Sequence, residues 1–334
     1  MSGPVAFLDS EGVRHLGLAR LTLLSRYRGL ALLCPQDHEQ LFRHELAAAL
    51  EAGGVCATLG AGQELAAVCA VMPLAWDSAH FGMPMANLLV AAAPDCTRER
   101  LSALLNAALS RAAAMQPLRH VSVELDIDDY NGLNALLAMG CEVVDIKRYF
   151  RWSSLKGVRK PKFLSRVRAY APTDHARVMQ LLEAARFESR FSRDALLREQ
   201  DVRTLYTCWF EQLLARADDD VMALVFEKAG RVQACGVIAE RDLRPAGVPV
   251  QFMDQGLYVS GPQGVGGYYP VIYALAERAL ARYDTVQTCV SLNNYPAVRV
   301  LERMSAGTPA TRYALRMTWD RPQVEMTRVR AVCP

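Results

Sequence analysis

The chain has 334 residues, 51% of them hydrophobic and 22% charged, with a formal net charge of +3. That length suits two domains of ~150 residues rather than one, and the apolar share lets each bury a core. The positive charge is spread out rather than striped, which excludes a nucleic-acid surface, and no apolar run reaches spanning length, which excludes a membrane role. Nine cysteines are scattered without a C-x-x-C pair or neighbouring histidines, the pattern of buried thiols in a reducing compartment with no metal site. Met1-Ser2-Gly3-Pro4 lacks a charged n-region and a cleavage pattern, so a cytoplasmic location is expected.

In chain order, periodicity predicts a helix over 39–53, stopped by Gly53-Gly54. Strands are predicted over 55–59, 65–72 and 85–93. Between the last two, 74–82 reads as an odd loop, because it carries Trp76 and Phe81, residue types usually found in cores. A helix over 97–114, a strand over 121–126, a short helix over 132–139 and two strands, 140–146 and 149–152, close a first series. A Lys/Arg cluster near Pro161 then separates it from a second. There, 163–171 leads into a helix over 174–185, and another helix covers 201–215. Strands over 221–227, 232–241 and 250–259 follow, then a helix over 268–283, a strand over 285–291, a helix over 296–304 and a strand over 313–319. Val121 and Val286 stand at the same offset as Gly140-Cys141 and Ser305-Ala306, and repetition at fixed offset takes priority in a fold reading.

The stretch 250–304 carries the chemistry. A strand runs into Ser260-Gly261-Pro262-Gln263-Gly264-Val265-Gly266-Gly267 and then a helix. Glycines let backbone N–H groups approach a phosphate closely, and the helix start offers unpaired N–H groups at the positive end of its dipole. Tight hairpins use the same residues. A Walker motif is excluded because Tyr268-Tyr269 follow the glycines. A Rossmann fingerprint lacks its third glycine and its acidic residue. No G-x-S-x-G elbow supports a hydrolase.

Gln263-x-x-Gly266 and Asn294-x-x-Ala297, in that order with a strand between them, resemble the two motifs of the GNAT acyltransferase family. The resemblance implies an α/β protein of two tandem GNAT-like domains, each a mixed, mostly antiparallel sheet flanked by helices. Residues 1–155 form a degenerate N-terminal domain, whose Ala93-Pro94-Asp95-Cys96-Thr97 turn has no glycine and an acid that would repel phosphate. Residues 163–322 form the acyltransferase domain. Leu74-x-Trp76-Asp77-Ser78-x-x-Phe81-Gly82, Ser189-Arg190-Phe191-Ser192-Arg193-Asp194 and Leu205-Tyr206-x-x-Trp209 are similar to the dTDP-fucosamine acetyltransferase (WecD-like) group. That similarity implies acetyl-CoA (acyl-CoA) as co-substrate without a metal, and a small-molecule amine acceptor, a nucleotide-linked amino sugar. A homodimer is one arrangement open to such a chain.

By the same resemblance Leu257, Val259, Gln263, Gly264, Val265, Gly266, Gly267 and Tyr268 hold the cofactor. Asp254, Tyr258 and Asn294 are the catalytic candidates, and Trp76, Asp77, Arg190 and Phe191 the substrate contacts. Each also has a plainer reading. Asp254 is a proton acceptor or a solvated strand residue, and Asn294 a cofactor contact or a helix cap. Arg190 and Phe191 suit the phosphate and base of a nucleotide or form a basic loop with one buried ring. Trp76 and Asp77 touch substrate or shape a corner. Leu301 stands where the family has a proton-donating tyrosine, and Tyr258, Tyr268 and Tyr295 are its possible replacements. The contrasting function is a catalytically silent GNAT pair that binds acyl-CoA as a sensor or scaffold.

Overall fold

The computed structural model describes residues 4–216, 220–261, 266–304 and 310–319. The first half begins with β1 (Val5–Leu8), α1 (Ser10–Arg14), α2 (Pro35–Glu51), β2 (Val55–Leu59), β3 (Ala67–Pro73), α3 (Ala75–Phe81) and β4 (Met85–Ala92). It continues through α4 (Arg98–Met115), β5 (His120–Asp126), α5 (Tyr130–Ala138) and β6 (Glu142–Trp152). Strands β1 to β4 pair antiparallel, and β5 joins β4 in parallel. Parallel neighbours need a crossover, and α4 supplies it. Its buried Leu101, Leu104, Leu105, Ala108, Leu109 and Ala112 recur at the spacing of one helical face, and Thr97 caps its start by accepting from Arg100 N–H. On the opposite face of the sheet, Val13 of α1 with Phe42 and Leu46 of α2 pack on Cys56, Val68, Ala70 and Ala91.

The second half repeats this order: β7 (Val167–Ala169), α6 (His175–Ala184), α7 (Glu199–Leu214), β8 (Val221–Lys228), β9 (Arg231–Asp242) and β10 (Gln251–Ser260). Then come α8 (Tyr268–Ala279), β11 (Val286–Ser291), α9 (Tyr295–Met304) and β12 (Thr311–Thr318). Here β10 and β11 are the parallel pair, with α8 as crossover.

Among the described residues the two halves share one 12-stranded sheet, ordered β1-β2-β3-β4-β5-β12-β6-β11-β10-β9-β8-β7. The last strand of the chain, β12, lies between β5 and β6, and β6 in turn pairs with β11. Each half therefore lends its sixth strand to the fifth strand of the other. Loops are exchanged as well. Tyr27 packs edge-on against Phe252 at 5.9 Å, while Phe191 stacks on Phe81 at 5.7 Å.

Three local expectations are corrected. Residues 74–82 are the short helix α3, not a loop. Ser78 N–H donates to the Leu74 carbonyl at 2.8 Å, Gly82 ends the helix at φ +64°, and Phe81 alone is buried, so no apolar stripe announces it. The strands expected at 140–146 and 149–152 are one, β6, paired by β12 and β11 on its two sides with a register shift against β12 near Val144. Strand β1 and helix α1 had no counterpart in the periodicity, being too short to show one.

Candidate functional site

The four central strands, β5, β12, β6 and β11, are apolar on one face and polar on the other. Residues directly opposite in a ladder share a face. Arg312 lies opposite both Asp126 and Lys147, Arg316 opposite Ser122, Tyr149 opposite Cys289 and Arg151 opposite Gln287. The other face carries Val121, Val123, Leu315 and Met317 against α4, and Phe150, Trp152 and Val286 against α8 and α9. A polar floor in the middle of a sheet costs free energy unless its groups are paired. Here they are. Lys147 donates to Glu124, Tyr149 donates to Glu124 at 3.3 Å, Arg28 to Asp126 at 3.0 Å, Ser291 to Asp145 at 2.6 Å and Gln287 to Asp254 at 3.2 Å. Burial alone would raise the pKa of Glu124, but Lys147, Arg190 and Arg312 outweigh it and hold the carboxyl below the usual range.

At one end of this floor the parallel pair of the second half comes apart. Strands β10 and β11 are paired at Met253 and Val286 among the described residues, whereas β4 and β5 stay paired from Met85–His120 to Leu88–Val123. A register shift between Asp254 and Leu257 bends β10 away from the regular ladder with β9, as a bulge does. The β3–β4 ladder of the first half runs without one. Tyr258 leans across the opening, hydrogen-bonded to the side chain of Thr288. Glycine is required beside it, since a Cβ at Gly256 would lie 2.4 Å from the Tyr258 ring and one at Gly236 2.8 Å from it. Desolvation pushes the Tyr258 phenol well up.

Of the residues singled out in the sequence, Asp254 is buried (5% exposed) on the floor beside this wedge, with Arg241 3.9 Å away. Leu257 and Val259 point into the core under α6 and α7, leaving their backbone at the wedge. Gly266 takes φ +93° with open space where a Cβ would stand. Gly267 is in ordinary helical conformation, φ −84°, and leads into Tyr268, whose ring lies 6.0 Å from that of Tyr258. Gln263, Gly264 and Val265 lie outside the described residues. Asn294 accepts from Ala297 N–H at 3.3 Å, a cap for α9. Tyr295 is 68% exposed and Leu301 buried, whereas the Tyr258 and Tyr268 rings lie together beside the wedge.

Asp77 and Arg190 come together, from different halves, on a cavity of about 420 Å³ above the floor. Arg26, Glu45, Asn87, Glu124 and Arg312 also line it. These residues were not read from the sequence, apart from the alternating polar positions of their strands, because they come from five separate stretches of chain. The cavity and the wedge share charge. Burial would lower the pKa of Arg26, but Tyr27, Tyr149, Glu45 and Asp254 act in the opposite sense and prevail. Cys289 opens onto solvent, yet lies deep enough for desolvation to push its thiol up to about 11.

Trp76 stands apart, stacked on His80 at 5.2 Å and facing outward at 37% exposure. Phe191 lies under the guanidinium of Arg190, 4.5 Å from ring to Cζ. The loop carrying both is pinned to the first half by Asp194, buried 2.7 Å from His120 Nε2 and 3.3 Å from Arg316. A larger recess of about 660 Å³ lies on the other side of Phe191, walled by Phe187 and Tyr206. Its Arg193 and Arg203 are paired with Glu188 and Glu199, while Arg186 on the same wall is exposed. Among the described residues there is no cluster of side chains suited to a metal ion, and no helix long and apolar enough to cross a membrane.

No protein-family model matches the sequence, and no curated protein matches it. Solved structures do match in shape. A GCN5-related N-acetyltransferase from Sphaerobacter thermophilus, 12% identical, aligns over 94% of this chain and 95% of its own with a TM-score of 0.55. A tandem GNAT protein from the clavulanic acid biosynthesis pathway, 14% identical, aligns over 96% of this chain and 99% of its own with a TM-score of 0.52. With its two repeats, its crossover helices and its shared sheet, the chain has the fold of the GCN5-related N-acetyltransferases in tandem form.

Proposed function

We propose that this chain transfers an acetyl (acyl) group from acyl-CoA to the amine of a small acceptor, with the donor in the wedge between β10 and β11. The observation that carries the reading is the asymmetry of the halves. Only the second has a bulged, early-parting strand pair followed by a left-handed glycine and a helix start. A parted pair leaves those backbone groups of residues 257–259 that point away from β9 open to bond the cofactor's amide arm and polarise a thioester carbonyl. Gly266 and the start of α8 face the pyrophosphate.

In the reaction the acceptor amine attacks the thioester carbonyl, the C–S bond breaks, and the amine proton passes to Asp254 directly or through water. The leaving thiolate takes a proton from Tyr258, a phenol and so protonated at neutral pH; its desolvation makes it a weaker acid than a free tyrosine. The acceptor lies in the cavity lined by Asp77 and Arg190. A nucleotide-linked amino sugar is the first class to try, on the resemblance of residues 74–82 and 189–194. A soluble cytoplasmic setting, a single cofactor per chain and a homodimer belong to the same reading.

Titration calorimetry with acetyl-CoA and with free coenzyme A tests it. Micromolar binding at one site per chain, lost in Gly266→Asp with the thermal midpoint retained, is the expected result. Nothing lies within 4 Å of a Cβ at Gly266, so that variant acts through charge and backbone rather than through a clash. Absence of binding would overturn the enzyme and leave a scaffold. One observation favours a second reading, a silent pair: the Tyr258 hydroxyl bonded to Thr288 spans the wedge that the donor would occupy. Binding of acetyl-CoA without thiol release in the presence of any amine would establish that reading instead.

A further inference from the structure

Around the cavity the cations are incompletely paired. Arg26, Arg190 and Arg312 each keep a buried Nε without a hydrogen-bond partner among the described residues. Arg312, 8% exposed, spends its two terminal nitrogens on the carbonyls of Leu24 and Glu124 at 2.7 Å. Arg190 approaches the Glu124 carboxylate no closer than 3.9 Å. Glu124 is already satisfied by Lys147 and Tyr149, so it cannot balance the three arginines as well. Glu45 tends the same way, since desolvation raises its pKa in spite of Arg26 and Arg312. Three guanidinium groups line one recess; the terminal nitrogens of Arg26 and Arg190 make no hydrogen bond among the described residues, and with Arg312 adding positive charge and little free negative charge nearby the set matches a bound anion. Asp77, half-buried on the same wall, has no hydrogen bond or ion pair in the described structure and is free to take a cation.

We infer that the acceptor is an amine that also carries a carboxylate or a phosphate, its anion held by Arg26, Arg190 and Arg312 and its ammonium, before deprotonation, by Asp77. This rests on the cavity being the acceptor site of the proposed transfer. Its recognition chemistry is nevertheless measurable without acyl-CoA.

The test uses the full chain and four probes in calorimetry: phosphoethanolamine against ethanolamine, and 4-aminobutyrate against butylamine. At least one anionic amine is expected to bind about tenfold or more tighter than its uncharged-headed counterpart, and which pair shows the gap distinguishes phosphate from carboxylate. Arg190→Ala and Arg26→Ala are each expected to cut that binding about tenfold, Arg190→Lys less. Both arginines are half-buried rather than fully buried, so these variants are expected to keep the thermal midpoint of the unmodified chain, and acetyl-CoA binding by the same variants serves as a further control. Equal binding within both pairs, no binding by either anionic amine, or a preference that survives both alanine variants would overturn the inference. Failure of acetyl-CoA to bind the unmodified chain would overturn the transferase reading while leaving the anion preference measurable.

Discussion

Tyr258 is the proposed proton donor, and its surroundings set its position. Two glycines make room for its ring, Thr288 fixes its hydroxyl, and desolvation keeps its proton on. Tyr258→Phe is therefore expected to lower kcat by ~100-fold, the scale of a lost general acid, while acetyl-CoA binding and the thermal midpoint stay near those of the unmodified chain. Steady-state thiol release with saturating acetyl-CoA checks it, and an unchanged kcat would remove Tyr258 from the mechanism. A second residue-scale effect concerns stability. The Arg168 guanidinium donates to both oxygens of Asp174, at 2.7 and 2.9 Å, and holds its carboxyl below the ordinary value. A depressed folded pKa contributes stability above the unfolded value, ~3.9, and the contribution disappears as pH falls through the folded one. Arg168 is 42% exposed, so solvent screening limits the pair to about 1 kcal/mol. Arg168→Ala, which also frees Glu227, should be less stable by about that amount at pH 7, and the difference in urea unfolding should shrink as pH falls through the depressed folded pKa of Asp174.

At the scale of elements, α2 does two jobs. Its Leu46, fully buried, packs in the first-half core, and the adjacent Glu45, on another side of the helix, lines the cavity. Leu46→Ala removes side-chain volume from a site with no solvent access and should cost about 2–5 kcal/mol, read as a lower urea midpoint with an unchanged slope. If the slope changes as well, the denatured state has been affected. Helix α3 and the 185–198 loop hold each other in the same manner across the halves, through Phe81 and Phe191. A pair of short, irregular segments thus becomes one wall of the cavity.

On the scale of the molecule, the interchange of β6 and β12 makes each half incomplete without the other. Residues 1–160 alone would leave β5 without its partner β12 and β6 without both β12 and β11, exposing unpaired edges of the kind that aggregate. The expectation is that residues 1–160 and 161–334 are each insoluble or unfolded when expressed separately, and form a soluble 1:1 complex with the far-UV circular dichroism of the intact chain when expressed together. Two independently folded halves would contradict the exchanged sheet. Because the floor of the site is made of the exchanged strands, neither half should bind an acceptor by itself.

Much of this was legible along the chain. The alternation in strands such as 121–126, the helical stripe at 101–112 and the repeated order of elements rest on local chemistry, since spacing of apolar residues and capping are properties of neighbouring residues. The parting of β10 and β11 was implied by the motifs, and Gly266 takes the left-handed conformation that only glycine adopts readily. What could not be read was anything requiring one segment to find another. The insertion of β12 beside β5, the meeting of Asp77 with Arg190, the gathering of three arginines on one recess and the placing of Tyr258 beside Thr288 all depend on which strands pair. Strand pairing is a long-range choice, fixed by the burial of whole faces and the closing of the sheet. A polar residue at an alternating strand position looks the same in sequence whether it meets solvent or forms the floor of a site, and the neighbour that distinguishes the two arrives from the far end of the chain.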